Sequence, residues 1–460
     1  MSERMSYRKH TRALLTLGLP MIGGHLAQLG IGMTDTLMMG RYGVPELAAL
    51  TIAGSYFFML FLFGSGFAWA ITPMIAASAA RDDHVQIRRA TRMALWLSGF
   101  YFVLVFPLLW FSAPIMLMIG QSGQTAEMAQ EYLRIAGFGM LPALGVMVLK
   151  NYLAGMEYTR AVLLITLAAV GANIALNHAL IFGNWGAPEL GIAGAAIASL
   201  IVQILSLGLV LVYALRLLPQ HALLHNFWHP DWEMFSRVFH LGWPIGAATL
   251  AEVGLFTTTA AMMGWLGNVP QAAHGIAMQL AGLTFMVQLG LANAATVRAG
   301  NALGRLDSRH MLDGARVVMV ACILTIALSV TVFICAPEFL VSLFLSPDEP
   351  ERDAVLSAGV TLLYMAALFQ MVDALQVVHL GLLRGLHDTR VPMVIAAVAY
   401  WGIGMPAAYV FGFVLNWEGP GIWLGLTLGL AVAALALVYR FWKYGAGMVE
   451  HSDQEKALSH

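Results

Sequence analysis

Of the 460 residues, 59% are hydrophobic and only 11% charged, with 24 Lys+Arg against 25 Asp+Glu and a formal net charge of −1. Soluble domains carry about 25% charged residues, so a cytosolic enzyme, a disordered scaffold and a polyanion-attracting nucleic-acid binder are all excluded. The two cysteines, Cys322 and Cys335, lie in one apolar stretch and suit neither a disulfide framework nor a zinc site.

What remains is an all-α polytopic membrane protein. The polar opening Met1–Arg12 leads into a long apolar run without a short signal core and cleavage site, so the first span is expected to stay in the protein. A bilayer core needs about 20 apolar residues per helix. Twelve runs qualify: 13–38, 47–77, 92–119, 131–153, 161–183, 191–215, 237–264, 272–297, 316–345, 357–382, 391–415 and 420–442. They are too long and too uniform for barrel strands. With the N-terminus inside, 21 of the 24 Lys and Arg fall in inner segments; only Arg41, Arg134 and Arg352 lie outside. That asymmetry places both termini in the cytoplasm of a multi-pass bacterial inner-membrane protein. The acidic outer loop Ser346–Asp353 reads as a solvated surface run. The division expected is an N-lobe over 1–216, a cytoplasmic linker over 217–236, a C-lobe over 237–445 and a cytoplasmic tail over 446–460.

The two lobes are read as a repeat. Residues 14–43 slide onto 238–267 by a shift of 224, matching Leu17-Gly18, Pro20, Gly30 and Met38-Met39-Gly40 with Leu241-Gly242, Pro244, Gly254 and Met262-Met263-Gly264. Each half holds six spans, an even number, so the halves share an orientation. This is the parallel-repeat arrangement of secondary transporters that work by alternating access.

An Asp or Glu at mid-membrane costs at least about 2.5–3.5 kcal/mol, and three stand out: Asp35, Glu252 and Asp373. No Lys or Arg is expected deep in the apolar runs to neutralise them. Each must then hold a proton or bind a mobile cation, which is coupling-ion chemistry. Gln28 and Asp35 are two turns apart on one face, as are their counterparts Glu252 and Thr259. Asn173 and Asn177, four apart, are expected to converge on Asp35 as an ion or substrate cluster. Gln370, Asp373 and Gln376 form a stripe that with Glu252 builds a second site. Sodium would bind at Glu252, Asp373 or Asp35. His274 and His379 are candidates for a proton relay, or alternatively hydrogen-bonded packing. Pro20 and Pro244 occupy matching places, where proline kinks a helix, as a gate or as a static bend.

At these residues the chain resembles the MATE (multidrug and toxic compound extrusion) family, in its NorM-type branch. The carriers are LGLP…AQLGIGMTDTLMMG (17–40), NIALNHALIFG (173–183), LGWPIGAATLAEVGLF (241–256), HGIAMQL (274–280) and DALQVVHLGLLRGLHDTRVPM (373–393). The resemblance implies twelve helices in two lobes around a central cavity. It implies efflux of cationic, lipophilic drugs driven by Na⁺ or H⁺, with Na⁺ favoured. It assigns Asp35, Asn173 and Asn177 to a first-lobe cluster, and Glu252 and Asp373 to a second-lobe cation site. Gly275 and His178 depart from the family pattern, where relatives commonly carry Gln and Tyr. No cofactor and no enzymatic motif is expected: there is no phosphate-binding G-x-x-x-x-G-K-[ST] loop, no H-E-x-x-H, and Asp82-Asp83 lacks a partner motif. Partners are small-molecule drugs, the coupling ion and the bilayer, in a monomer. A lipid-precursor flippase would be expected to line its cavity with basic residues.

Overall fold

The computed structural model describes residues 5–346 and 350–457; residues 347–349 of the acidic outer loop lie outside them. Among the described residues, twelve helices are long and apolar enough to cross a membrane. They are α1 (Tyr7–Tyr42), α2 (Val44–Ala79), α3 (His84–Trp110), α4 (Gly123–Gly155), α5 (Thr159–Phe182), α6 (Gly191–Leu217), α7 (Trp232–Trp265), α8 (Asn268–Arg305), α9 (Ser308–Cys335), α10 (Arg352–Gly385), α11 (Arg390–Val414) and α12 (Glu418–Glu450). Among the described residues there is no strand. Helices alone satisfy their backbone hydrogen bonds internally, which hydrocarbon demands.

Two expected spans are shorter than the apolar runs that announced them. The run 92–119 divides at Phe111 (φ −106°, ψ 48°) into α3 and a short helix Ser112–Met118. Pro114 has no N–H to offer the Trp110 carbonyl, which weakens the helix where it breaks. The run 316–345 divides likewise at Ala336 (φ −135°, ψ 42°), ahead of the short helix Pro337–Ser342. Proline is favoured in the first turn of a helix and not in its interior.

These paired breaks are one sign that the repeat extends well beyond the first spans. The turns entering α3 and α9 match at the same shift of 224. Asp82 and Leu306 both take positive φ, 54° and 57°. The next residues, Asp83 and Asp307, cap the helices, accepting from the Gln86 and His310 amides at 3.0 and 2.9 Å. Further on, Gly155-Met156-Glu157-Tyr158-Thr159-Arg160 answers Gly385-Leu386-His387-Asp388-Thr389-Arg390, with Glu157 and His387 at φ 66° and 61°.

The chain divides into two compact units, but not at the boundaries expected from the sequence. One unit is Gly23–Gly246; the other is the chain up to Ile22 together with everything from Ala247. The divisions therefore fall inside α1 and α7 rather than in the 217–236 connector, each two residues past Pro20 or Pro244 and again 224 apart.

Packing inside each unit explains the exchange. In the Gly23–Gly246 unit, the start of α7 lies against α2 so closely that a Cβ on Gly66 would stand 2.5 Å from the Gly242 carbonyl oxygen and the Gly246 nitrogen. In the other unit, the start of α1 lies against α8, where a Cβ on Gly290 would stand 2.9 Å from the Ile22 nitrogen. Gly66 and Gly290 are counterparts in the repeat. Small residues that let backbones meet replace the hydrophobic drive that lipid cannot provide.

The core of the Gly23–Gly246 unit includes Met93, Leu133, Leu144 and Tyr152; that of the other unit includes Met263, Leu363, Tyr400 and Trp423. The connector before α7 is fastened to α3 within its unit. Arg89 pairs with Asp231 at 2.5 Å, Arg92 donates to the Asn226 carbonyl at 2.8 Å, and Trp96 donates to the Phe227 carbonyl at 2.9 Å. The Arg89 guanidinium beside Asp231 holds that carboxyl below its ordinary value of 3.8. His221, buried in the connector and bonded to the Tyr152 hydroxyl at 2.5 Å, is pushed down to about 4 by burial and by the neighbouring His84.

Candidate ion-coupling sites

The first cluster lies in the Gly23–Gly246 unit. Asn173 and Asn177, one turn apart on α5 and fully buried, both donate to Asp35 Oδ1 of α1, at 3.0 and 2.5 Å. The carbonyl oxygens of both amides are buried without a hydrogen-bond partner. A carboxylate held by two amide N–H groups is stabilised in its charged form. Turning either amide over presents its oxygen to Asp35 instead, the arrangement that a protonated carboxyl needs. The cluster thus has a ready answer to both charge states.

Gln28 does not join it. That residue is exposed on α1, and two turns of helix place it about 10 Å along the axis from Asp35, beyond direct reach. Tyr132 of α4, hydrogen-bonded with Ser199 of α6, does lie within electrostatic range of Asp35. Nothing in the spacing of the sequence ties Tyr132 to Asp35.

The second cluster lies in the other unit. Glu252 of α7 and Asp373 of α10 are close enough for each charge to be felt by the other. Asp373, Gln370 and Gln376 are all buried on α10. Glu252 Oε1, Asp373 Oδ1 and Gln376 Oε1 have no hydrogen-bond partner, and neither has the Gln370 Nε2 donor. Carboxylate and amide oxygens are hard donors, the type that hard cations take as ligands. Among the described residues no three or more His, Cys, Asp or Glu side chains converge as metal ligands.

The expectation that no Lys or Arg offsets the buried carboxylates needs correcting at Glu252. Arg384, in the last turn of α10, has its Nε shut off from solvent, and its charge reaches Glu252. Lys150 on α4 is half-buried and donates to Thr166 Oγ1 at 2.9 Å. Both sit near the ends of helices longer than the bilayer core requires, Arg384 just past the apolar run 357–382 and Lys150 at the close of the run 131–153. Tyr400 of α11, also unforeseen, is buried and within electrostatic range of Glu252, Asp373 and Arg384 together.

The histidines are packed. The His379 ring is engaged at both nitrogens: Nδ1 bonds the Leu375 carbonyl at 2.8 Å, and Nε2 accepts from Trp442 Nε1 at 3.2 Å. His274 Nδ1 accepts from Trp423 Nε1 at 3.1 Å. Thr259 spends its hydroxyl on carbonyls of its own helix, Leu255 and Phe256. Pro20 and Pro244 each lie inside a helix that continues past them. Of the two departures from the family pattern, His178 Nε2 meets Asn184 Nδ2 at 3.1 Å, and Gly275 has open space where a Cβ would be.

The MatE family model matches this chain twice, over residues 20–178 and 244–410, two segments that begin 224 residues apart. The chain is 45% identical over 440 residues to a protein of Rhizobium meliloti named "Probable multidrug resistance protein NorM", covering 95% of this chain and 94% of that one. A protein of the same name from Agrobacterium fabrum is 39% identical over 439 residues, covering 95% and 94%. Among solved structures, the eukaryotic MATE transporter AtDTX14 shares the fold with a TM-score of 0.86 at 19% identity, over 97% of this chain and 99% of that one. An outward-facing multidrug resistance MATE family transporter shares it with a TM-score of 0.83 at 18% identity, over 95% and 96%. With the repeat, the twelve helices and the two clusters in place, the chain belongs to the MATE family, in its NorM branch.

Proposed function

We propose that this protein is a cation-coupled multidrug efflux antiporter of a bacterial inner membrane, with both termini in the cytoplasm, working as a monomer by alternating access. Its substrates are cationic and lipophilic drugs and dyes. Relatives named as multidrug resistance proteins at up to 45% identity support the substrate class. The observation that carries the coupling is the unpartnered oxygen set of Glu252, Asp373 and Gln376.

Arg384 lies within electrostatic range of Glu252, while Asp373 has Glu252 as its charged neighbour, so the pair of carboxylates calls for a mobile cation or a proton. In the outward-open state that cation enters from outside, neutralises the second cluster and removes the charge that retained a cationic drug. The loaded protein turns inward and the ion leaves to the cytoplasm, where drug takes its place and drives the return. Asp35 with its two amides serves as the first-lobe station, for drug or for a second ion. Na⁺ is favoured because every unpartnered acceptor is a hard oxygen; H⁺ is the alternative that the same carboxylates accept.

Ethidium efflux from cells or vesicles under separately imposed Na⁺ and proton gradients tests this. Efflux that follows the Na⁺ gradient and disappears in Asp373→Asn is expected. Full extrusion by both Asp373→Asn and Glu252→Gln overturns the mechanism.

A further inference from the structure

The connector between α6 and α7 has the wrong composition for a strand of chain in water. From Leu217 to Pro230 it holds fourteen residues and no Asp, Glu, Lys or Arg. Its large apolar groups are turned outward: Leu224 is 50% exposed, Trp228 82%, and Trp232, the first residue of α7, 60%. Apolar patches of this kind mark surfaces that meet a protein or a membrane. The depth of the connector follows from α3. After Arg92 that helix carries no charged residue up to its end at Trp110, a stretch of eighteen residues, or about 27 Å at 1.5 Å each. A bilayer core is about 30 Å thick, so α3 has no length to spare, and Met93 already stands at the edge of the hydrocarbon.

The connector is bound along this charge-free stretch. Arg92 holds the Asn226 carbonyl at 2.8 Å, and one turn further in Trp96 Nε1 holds the Phe227 carbonyl at 2.9 Å. A further turn on, Phe100 meets Phe235 edge-on with ring centroids 5.7 Å apart, and Phe235 meets Trp232 at 5.5 Å. The chain from Asn226 to Phe235 thus lies beside the apolar part of α3. Its backbone is equipped for a place poor in water: the His225, Phe227 and His229 amides donate to the Ala222, Leu224 and Asn226 carbonyls at 2.8, 3.3 and 3.0 Å, where unsatisfied amides would be costly. Asp231, the first charge after the strip, is taken up by Arg89. We propose that the connector is an interfacial anchor: Leu224, Trp228 and Trp232 sit among the phospholipid headgroups and first acyl carbons of the leaflet on the N-terminal side, which the orientation proposed above makes the cytoplasmic one. Tryptophan favours this depth, since its ring is apolar and its N–H polar. The band is continuous with the outer faces of the adjoining spans, where Leu217 of α6, Phe100 of α3 and Phe239 of α7 are also exposed.

The test is a depth measurement on the full-length protein. In a Cys322→Ala, Cys335→Ala background a single cysteine is introduced by Trp228→Cys or Leu224→Cys, spin-labelled, and reconstituted in vesicles of phosphatidylethanolamine and phosphatidylglycerol. Collisions of the label with oxygen, which concentrates in the bilayer, are compared with collisions with a water-soluble nickel chelate added before the vesicles are sealed. Leu104→Cys, on an exposed position of α3 well past Phe100, is the lipid reference, and Arg309→Cys, exposed in the first turn of α9, the water reference. Oxygen is expected to prevail at both connector positions, at a shallower depth than at Leu104→Cys. Nickel prevailing at either position, as at Arg309→Cys, places the connector in water and overturns the proposal. A label screened from both reagents overturns it as well, because protein, such as a second copy of this chain, then covers the strip. If Trp228→Cys does not accumulate, Leu224→Cys decides alone by the same criteria.

Discussion

Asn177 donates to the same Asp35 oxygen as Asn173 and is the nearer of the two, at 2.5 against 3.0 Å. Both amides spend their N–H groups on one atom and leave their own oxygens unpaired. Asn177→Ala should therefore weaken efflux more than Asn173→Ala. Hydrogen bonds to a charged group contribute about 1.5–3 kcal/mol. Asp35→Asn should remove function while leaving expression intact, since it discards a charge that the membrane disfavours. Ethidium retention in cells expressing each variant, normalised to protein in the membrane fraction, measures the order.

Arg384 offsets part of the charge of the second cluster. Removing it by Arg384→Met leaves Glu252 and Asp373 facing each other with less compensation, so thermal stability in detergent should fall. Adding Glu252→Gln to that variant should recover part of the loss, because an uncompensated buried charge is the costly element. A double variant no more stable than Arg384→Met would show that the two side chains are not coupled.

Close backbone approach at Gly66 and Gly290 predicts a matched pair of defects. Gly66→Ala and Gly290→Ala each place a methyl group within 2.9 Å of backbone atoms, and overpacking of this kind costs about 1–3 kcal/mol or more. Gly99→Ala in α3, where no atom lies within 4 Å of the added carbon, should melt like wild type. Melting curves of the three purified variants test the contrast.

The fastening of the connector should depend on pH in a defined direction. Asp231 is held below its ordinary 3.8 by Arg89, so this pair contributes fully at neutral pH and fades only as the pH drops below that value. The melting-temperature difference between wild type and Asp231→Asn should stay constant from pH 7 to pH 5 and shrink below about pH 4.

His221 acts in a higher window. Its folded value of about 4 lies below the ordinary 6.5, so an unfolded chain takes up a proton that the folded one resists. Stability should fall as pH drops from 6.5 towards 4, and His221→Asn should flatten that part of the profile.

How much of this was legible beforehand follows from what periodicity can carry. The Asn173–Asn177 pair and Asp35 were found because four residues make one helical turn and because charge in oil is conspicuous. All twelve spans were found as apolar runs, although Pro114 and Pro337 cut two of them short. Gln28 shares a side of α1 with Asp35, yet sharing a side says nothing of reach along the axis. Arg384 was hidden by its place in a last helical turn, where hydropathy reads loop. Tyr400 was hidden because a phenol inside an apolar run looks like any other core aromatic until the fold brings it within electrostatic range of two carboxylates from other helices.

Each compact unit includes the opening stretch of a helix belonging to the opposite half of the sequence, the switch falling at Ile22 and at Gly246. A six-helix ancestor built to this plan would have lacked its own first segment and could have completed its packing only by trading that segment with a second copy. Fusing two such copies would turn a barter between two molecules into a crossing within one. By the same reasoning the two halves cut apart at the connector should be unable to mature singly, and should regain structure only when produced together.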